Sequence, residues 1–206
     1  MLGDQKVIQV RIGGFGGQGV VLAGALLGYA AVRDGLWVSG SNSYGAQARG
    51  GAARSEVVIS NGPIAFPHVL QADVLVAMSQ SAYDAFSDNL AEQDPVVIHD
   101  PGLVAPRSLE AARQVPLPAT EAAVSDLGNK QVANIVMLGA LSALTEIVSI
   151  KALETAVSEQ VSSRFRDLNL QALSRGFELG VEAQRIMGYG AGRQEDPLGS
   201  GCFHGR

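Results

Sequence analysis

The sequence predicts a Rossmann-like α/β fold with three αβα layers, in which a mainly parallel sheet carries an antiparallel hairpin and C-terminal helices follow. Three observations favour this class. Short runs rich in β-branched residues alternate with helical segments. A glycine-rich turn joins the first run to a helix, and three helical segments follow one another before residue 188. We expect residues 1–188 to form one domain and residues 189–206 to form a flexible, glycine-rich tail.

The N-terminal elements follow from their apolar periodicity. The first strand is predicted at Lys6–Ile12, where apolar and β-branched residues run up to a glycine. A helix begins near Val20 and ends at Asp34-Gly35, because glycine commonly follows the last helical turn. The second strand is predicted within LWVSGS, residues 36–41. The residues expected on the buried face of the helix are Val20, Ala23, Leu27, Ala30 and Ala31.

The middle of the chain predicts five more strands. SEVVIS and PIAF flank Asn61-Gly62, a dipeptide that tolerates positive φ at both turn positions, so we expect a β-hairpin there. Apolar runs at Ala72–Ser79 and Asp94–Asp100 enclose a helical segment at 81–93, which predicts a βαβ unit with parallel strands. A short edge strand is expected within RQVPLPA, residues 113–119, since a sheet edge tolerates proline.

The C-terminal part is predicted to be helical. Lys130–Val148 is apolar on most sides, which indicates a buried helix. Two amphipathic helices are expected at Ile150–Val161 and Phe165–Met187, with a break near Arg164.

Composition restricts the partners of the protein. The chain has 206 residues, of which 47% are hydrophobic and 17% charged, and no run of Lys or Arg marks a nucleic-acid site. No apolar run reaches the roughly 18 residues of a membrane span, and the N-terminus does not resemble a secretory leader. We therefore expect a cytoplasmic protein that binds neither nucleic acid nor membrane. The single cysteine, Cys202, allows no internal disulfide and no cysteine-ligated cluster within this chain.

The turn after the first strand contains Gly14-x-Gly16-x-x-Gly19, the spacing of dinucleotide-binding turns. Glycines allow a tight turn and close approach of a ligand, while the first N–H groups of the helix point at phosphate. A standard NAD site also needs an acidic residue at the end of the second strand, and WVSGSNSYG has none. An ATP-binding P-loop is excluded, because its pattern is missing and no lysine lies between Lys6 and Lys130. Another phosphate ligand and a purely structural turn both stay open.

A second loop, SNSYGAQARGGAAR, carries Arg49 and Arg54, with Glu56 as the one acidic residue nearby. Together with the glycine turn it predicts an anion-binding rim. The alternative is a solvated loop with incidental arginines.

The three histidines, His68, His99 and His204, lie far apart in the sequence and show no metal-ligand spacing. His99-Asp100 follows a predicted strand, at the position where open α/β sheets bind ligands. A structural role is the commoner one for such a histidine.

Three motifs together resemble the gamma subunit of the 2-oxoacid:ferredoxin oxidoreductases, such as the pyruvate and 2-oxoglutarate enzymes. They are GGFGGQGVVLAG, SYGAQARGGAARSEVVIS and NKQVANIVMLGAL, in this order and spacing. The likeness runs from about Val7 to Leu141 and, more loosely, through the C-terminal helices. The patterns G-x-G-G-Q-G-V and S-Y-G-x-x-x-R-G-G are far more specific in combination than either is alone.

The resemblance implies a subunit of a hetero-oligomeric oxidoreductase that is not active by itself. In that family a 2-oxoacid is oxidatively decarboxylated with coenzyme A, giving an acyl-CoA, CO2 and reduced ferredoxin. Thiamine diphosphate, Mg and iron–sulfur clusters are expected on the alpha and beta subunits, and on a delta subunit where one exists. This chain is expected to hold none of them, because it has no Gly-Asp-Gly thiamine motif and no Cys-x-x-Cys.

The resemblance also implies that this chain contributes to coenzyme A binding, since a glycine-rich helix N-terminus and an arginine suit the phosphates. Gln18 would bond the ligand or lock the loop, Tyr44 would stack or hydrogen-bond, and Arg49 would pair with phosphate or with a partner subunit. Asn134 is expected to hold the SYG loop. A free-standing NAD dehydrogenase and a scaffold without ligand remain the alternatives. The residues assigned to the coenzyme A site are Gly14, Gly16, Gly17, Gln18, Gly19, Ser43, Tyr44 and Arg49.

Overall fold

The computed structural model describes residues 5–43 and 52–188, and these ranges contain a six-stranded mixed sheet. Its order is β2-β3-β1-β4-β5-β6. The neighbours β1, β4, β5 and β6 run parallel, whereas β3 is antiparallel to both β1 and β2. The strands are β1 (Val7–Phe15), β2 (Trp37–Ser43), β3 (Ala52–Ser60), β4 (Val74–Ala77), β5 (Val96–His99) and β6 (Arg113–Pro116).

Six α-helices accompany the sheet in these ranges. They confirm the helix after the glycine turn and the three C-terminal helices, and they add one helix between β6 and residue 130 that the sequence did not predict. The helix after β4 ends at Phe86, well before residue 93, and the last break falls at Val161-Ser162. The helices are α1 (Val20–Arg33), α2 (Gln80–Phe86), α3 (Ala119–Ser125), α4 (Ala133–Thr145), α5 (Ile150–Gln160) and α6 (Ser163–Ile186).

The expected three layers are confirmed. Alternate residues of the strands, such as Ile12, Val57 and Val76, join the large core beneath α1 and α3 to α6. The intervening residues face α2, where Leu75 and Val97 pack with the fully buried ring of Tyr83. The face predicted to be buried on α1 is buried in full.

The prediction of a hairpin at Asn61-Gly62 is wrong. β3 ends at Ser60, and neither turn residue adopts positive φ. The Asn61 N–H donates to the Lys6 carbonyl, and the Asn61 side chain accepts from the Lys6 N–H at 3.0 Å. The dipeptide thus ties the end of β3 to the start of β1. The antiparallel part of the sheet consists instead of β3 with both of its neighbours, β1 over nine positions and β2 over seven.

Close packing of α4 against α6 fixes the helical layer. A Cβ on Gly176 would lie 2.0 Å from the Val136 carbonyl oxygen, and one on Gly139 would lie 2.1 Å from the Leu173 carbonyl oxygen. Both helices therefore touch backbone to backbone, which only glycine permits. This contact holds the first turn of α4 in place above the glycine turn.

A buried ion pair stabilises the face of the sheet that packs against α2. Arg11 on β1 and Glu56 on β3 are register partners, and the Arg11 Nε donates to Glu56 Oε1 at 2.8 Å. Both side chains are buried. The guanidinium also donates to the Val69 carbonyl at 3.2 Å and lies 5.4 Å from the Phe86 ring centroid. The pair thus joins the sheet, α2 and the segment after β3.

Candidate functional site

The glycine turn lies at the carboxyl ends of the parallel strands. β1 ends at Phe15, and α1 begins at Val20. The Met78 N–H, just after β4, donates to the Gly13 carbonyl at 2.8 Å, so the turn lies beside the end of the next strand. Ligands of open α/β sheets bind at this edge.

The open side of the turn is formed by Gly16 and Gly17. Gly17 has φ +92°, a conformation that favours glycine. Gly16 has neither a positive φ nor any atom within 4 Å of where a Cβ would lie. Nothing else in the described chain therefore requires glycine at position 16, and the backbone there is free for close approach by another molecule.

Gln18 is used inside the turn. Its Oε1 accepts from the Phe15 N–H at 2.6 Å, and its Nε2 donates to the Met78 carbonyl at 2.8 Å. Gly14 makes room for this side chain, because a Cβ at that position would lie 2.6 Å from Gln18 Oε1. Of the two roles predicted for Gln18, the geometry favours locking the loop.

Gly19 and Asn134 join the turn to α4. Asn134 is buried, and its Nδ2 donates to the Gly19 carbonyl at 3.1 Å. Gly19 has φ +72°, and a Cβ on it would lie 2.3 Å from Asn134 Nδ2. The described hydrogen bond of Asn134 is thus made to the glycine turn and not to the SYG loop.

The N-terminus of α1 is electrostatically suited to an anion. Its N-cap is Gly19, so no N-cap side chain caps it among the described residues, and its first turn contains no acidic residue. The first N–H groups of a helix lack partners within the helix and carry the positive end of its dipole. A helix of 14 residues therefore offers several N–H donors at the open glycines.

The second predicted loop starts and ends at the same sheet edge. Ser43 is the last residue of β2 and is exposed. It pairs in register with Arg54 of β3, and Arg54 pairs on its other side with Gly13 of β1. Arg54 remains partly exposed, with its Nε 4.0 Å from Glu56 Oε1. Tyr44 and Arg49 lie outside the described residues, as does the predicted tail at 189–206.

The His99-Asp100 pair has a structural role in the described chain. Both residues are buried at the end of β5. The Asp100 carboxylate accepts from the Gly102 and Thr120 N–H groups at 3.0 and 2.8 Å. His99 packs edge to face against Tyr83, and its Nδ1 is buried without a hydrogen-bond partner. Burial lowers the pKa of the His99 imidazole, while the Asp100 charge opposes this shift.

A pH dependence of stability follows from His99. Because the folded state holds the imidazole neutral, the unfolded state binds more protons below its own pKa of about 6.5. The stability that depends on a neutral His99 should therefore be fully present above that pH. It should fall as the pH drops toward the lowered pKa of the folded state. His99→Phe should flatten the decline below about pH 6.5, measured by urea unfolding at several pH values. An unchanged pH profile would contradict this account.

The fold disfavours an NAD site at this turn. In dinucleotide-binding folds the second strand lies directly beside the first and parallel to it. Here the antiparallel strand β3 lies between β1 and β2, so β2 is not the neighbour of β1. Asp34, the acidic residue nearest β2 in sequence, accepts from the Ser149 N–H at 2.6 Å and from its hydroxyl at 2.8 Å.

Within residues 5–43 and 52–188, no cluster of three His, Cys, Asp or Glu side chains is placed to bind a metal. In the same ranges, every helix is too short or too polar to cross a membrane.

Comparisons with known proteins agree on one family. A family model described as pyruvate ferredoxin/flavodoxin oxidoreductase matches residues 9–179. The 2-oxoglutarate synthase subunit KorC of Methanocaldococcus jannaschii is 44% identical over 177 residues, covering 84% of this chain and 94% of that protein.

Two solved structures share the fold. The gamma subunit of a keto/oxoacid ferredoxin oxidoreductase from Geobacter sulfurreducens PCA has a TM-score of 0.78 and 39% identity, covering 86% of this chain and 98% of that one. The 2-oxoglutarate:ferredoxin oxidoreductase from Magnetococcus marinus, solved with 2-oxoglutarate, coenzyme A and succinyl-CoA bound, has a TM-score of 0.77 and 26% identity. It covers 86% of this chain, but the match spans only 31% of the longer Magnetococcus chain.

Proposed function

Because the chain belongs to the pyruvate ferredoxin/flavodoxin oxidoreductase family, as a gamma subunit of the 2-oxoacid:ferredoxin oxidoreductases, we propose that its glycine turn binds coenzyme A. The complex would convert a 2-oxoacid of the 2-oxoglutarate or pyruvate class and coenzyme A to an acyl-CoA and CO2, with ferredoxin taking up the electrons. Thiamine diphosphate, Mg and iron–sulfur clusters on alpha and beta partners, and on a delta subunit where present, would supply the decarboxylation and electron transfer.

The observation that carries this proposal is the open backbone at Gly16 in front of the uncapped N-terminus of α1. Coenzyme A presents a diphosphate and a 3′-phosphate, and such oxygens accept well from helix N–H groups. Gly17 would allow the same close approach, while Gln18 and Asn134 would hold the turn in shape. Ser43 lies at the same edge, where its hydroxyl would be available to the ligand.

The contribution of this chain to the reaction would be orientation. By anchoring the phosphates, the turn would hold the thiol end of coenzyme A toward the partner that carries the 2-oxoacid. Tyr44 and Arg49 keep their predicted roles in stacking and phosphate pairing, and an ion pair of Arg49 with a partner subunit stays open. The scaffold alternative predicts instead that the turn touches no ligand.

Gly16→Ala tests the proposal in the assembled enzyme. The new methyl group meets no atom of residues 5–43 and 52–188, so we expect folding and assembly to be unchanged. It would obstruct the phosphate and weaken one or more charge-assisted hydrogen bonds, which should raise the apparent KM for coenzyme A at least about tenfold. Steady-state kinetics with varied coenzyme A and saturating 2-oxoacid would measure this change.

The matched control is Gly28→Ala, a helical position whose added Cβ would lie 3.5 Å from Val38 Cγ1, an ordinary contact. It should leave the KM for coenzyme A at the wild-type value. An unchanged KM in Gly16→Ala would refute the coenzyme A role and favour the scaffold. Gly19→Ala would not discriminate, because its positive φ and its contact with Asn134 disturb the turn in either case.

A further inference from the structure

Among the described residues, no strand pairs with the outer side of β2, which therefore forms an open sheet edge. It is the outermost strand, next to β3, and its seven residues contain neither a charge nor a proline. Soluble proteins usually protect such edges with lysine, proline or a short strand, because open N–H and C=O groups pair with other chains. The opposite edge follows this rule, since β6 has four residues and ends in Pro116.

An exposed apolar stripe on α1 lies beside this edge. Leu22, Ala25, Tyr29 and Val32 are exposed and share one face of the helix. Gly28, next to this stripe, lies over Val38 of β2. The first charged residue of α1 is Arg33 in its last turn. A helix exposed to water normally carries polar residues on its outer face.

The other face of β2 is apolar at its start. Trp37 is 53% exposed. Trp37 and Ser39 are two residues apart in the strand and therefore lie on one face of the sheet, opposite Val38 and α1. On that face the Ser39 hydroxyl donates to the Pro67 carbonyl at 3.1 Å. Apolar surface therefore flanks the open edge on both sides of the sheet.

Charge separates this region from the remaining surface. Segments 12–32, 35–43 and 57–72 contain no Asp, Glu, Lys or Arg, and the half-exposed Arg54 of β3 lies opposite Ser43 at the end of β2. By contrast, the exposed sides of α5 and α6 carry many charges. Examples are Lys151, Glu154, Glu159, Asp167, Glu178 and Glu182. The exposed α1 stripe and Trp37 therefore favour an apolar partner surface, and the scarcity of charges in these segments disfavours a highly charged one, as at the core of a stable interface.

We infer that the β2 edge and the exposed α1 stripe form the docking surface for a companion subunit of the same oxidoreductase, which adds an extended apolar segment alongside β2. This inference rests on the proposed function. In the Magnetococcus enzyme the matching part makes up 31% of a longer chain, so further chain is joined to this fold there. β2 also ends at Ser43, at the edge where the glycine turn lies, so a subunit on β2 adjoins the proposed coenzyme A site.

The test is co-expression of all subunits with Tyr29→Glu and Trp37→Glu combined in this chain. Each substitution places a carboxylate on an exposed apolar position, so the isolated variant should keep its melting temperature. The amount of companion subunit that copurifies, measured by intact mass, should fall at least about tenfold, because a buried unpaired charge opposes docking. The single variant Val32→Lys, at a position that is 60% exposed, should also lower the amount of companion subunit that copurifies. It keeps the test valid if the double variant misfolds.

Matched controls are Val124→Glu and Ile186→Glu, which are 50% and 75% exposed on α3 and α6 and should assemble normally. Full assembly of the double variant and of Val32→Lys would overturn the inference, as would equal loss in the controls. If the isolated wild-type chain is a dimer that these variants break while the full complex still forms, the surface belongs to a second copy and the inference is wrong. Absence of any companion with the wild-type chain would instead refute the proposed function.

Discussion

Replacing Gly176 by alanine should lower the free energy of unfolding by about 3 kcal/mol or more, a large share of the roughly 5–15 kcal/mol that stabilises a typical domain. The added methyl group would lie 2.0 Å from the Val136 carbonyl oxygen and 2.7 Å from its carbonyl carbon. These are backbone atoms inside α4, which have no rotamer through which to move away. The two helices would have to separate, and apolar contacts along their whole length would be lost.

Urea unfolding of the isolated chain, followed by circular dichroism, measures this loss. Gly28→Ala is the control, because it adds the same methyl group to a helix where the nearest contact is 3.5 Å away. That control should be neutral or stabilise by up to about 1 kcal/mol through helix propensity. A loss below 1 kcal/mol for Gly176→Ala would show that α4 and α6 do not pack as closely as described.

Glu56→Ala should lower the free energy of unfolding by about 3–5 kcal/mol, because it leaves the buried Arg11 guanidinium without its counter-ion. The remaining partners of Arg11 include the carbonyls of Val69 and Asn89, at 3.2 and 3.5 Å, and these do not neutralise a full charge. The segment after β3 and the end of α2 should therefore loosen together with the sheet.

The double variant Arg11→Met, Glu56→Leu separates the cost of an unpaired charge from the value of the pair itself. Well-packed apolar replacements of a buried ion pair are often neutral. The double variant should thus recover most of the stability that Glu56→Ala loses, as judged by urea unfolding. Equal loss in both variants would mean that the pair itself contributes the stability.

The sequence predicts best where local and tertiary preferences agree. α1 starts and ends as expected, since the glycine turn and Asp34-Gly35 bound it and its apolar face is buried. β4 and β5 are short apolar runs that the crossover places parallel. The hairpin fails because Asn61 pairs with Lys6, a contact 55 residues away that turn propensity does not contain.

Other differences also come from packing. β1 continues to Phe15 because its last three residues pair with β3, and Gly13 leaves room for Ala82 and Phe86 of α2. The helix after β4 stops at Phe86, since the Asn89 carbonyl accepts from the Ala72 N–H and so draws the chain back to the sheet.

The sequence predicts the position of the glycine turn, but only some of the roles of its residues. Motif spacing identifies the glycine turn, but it does not distinguish Gly14 and Gly19, which make room for Gln18 and Asn134, from Gly16, which lies against open space. The Arg11–Glu56 pair is missed altogether. Its signal in the sequence is Arg11 within one apolar run and Glu56 directly before another, which becomes informative only when the register is known.

The most direct test of the central claim is a structure of the assembled enzyme with coenzyme A bound. The account predicts phosphate oxygens within about 3 Å of backbone nitrogens in the segment from Gly16 to Val20. Coenzyme A held entirely by the companion subunits, with no phosphate in hydrogen-bonding reach of this turn, would contradict it.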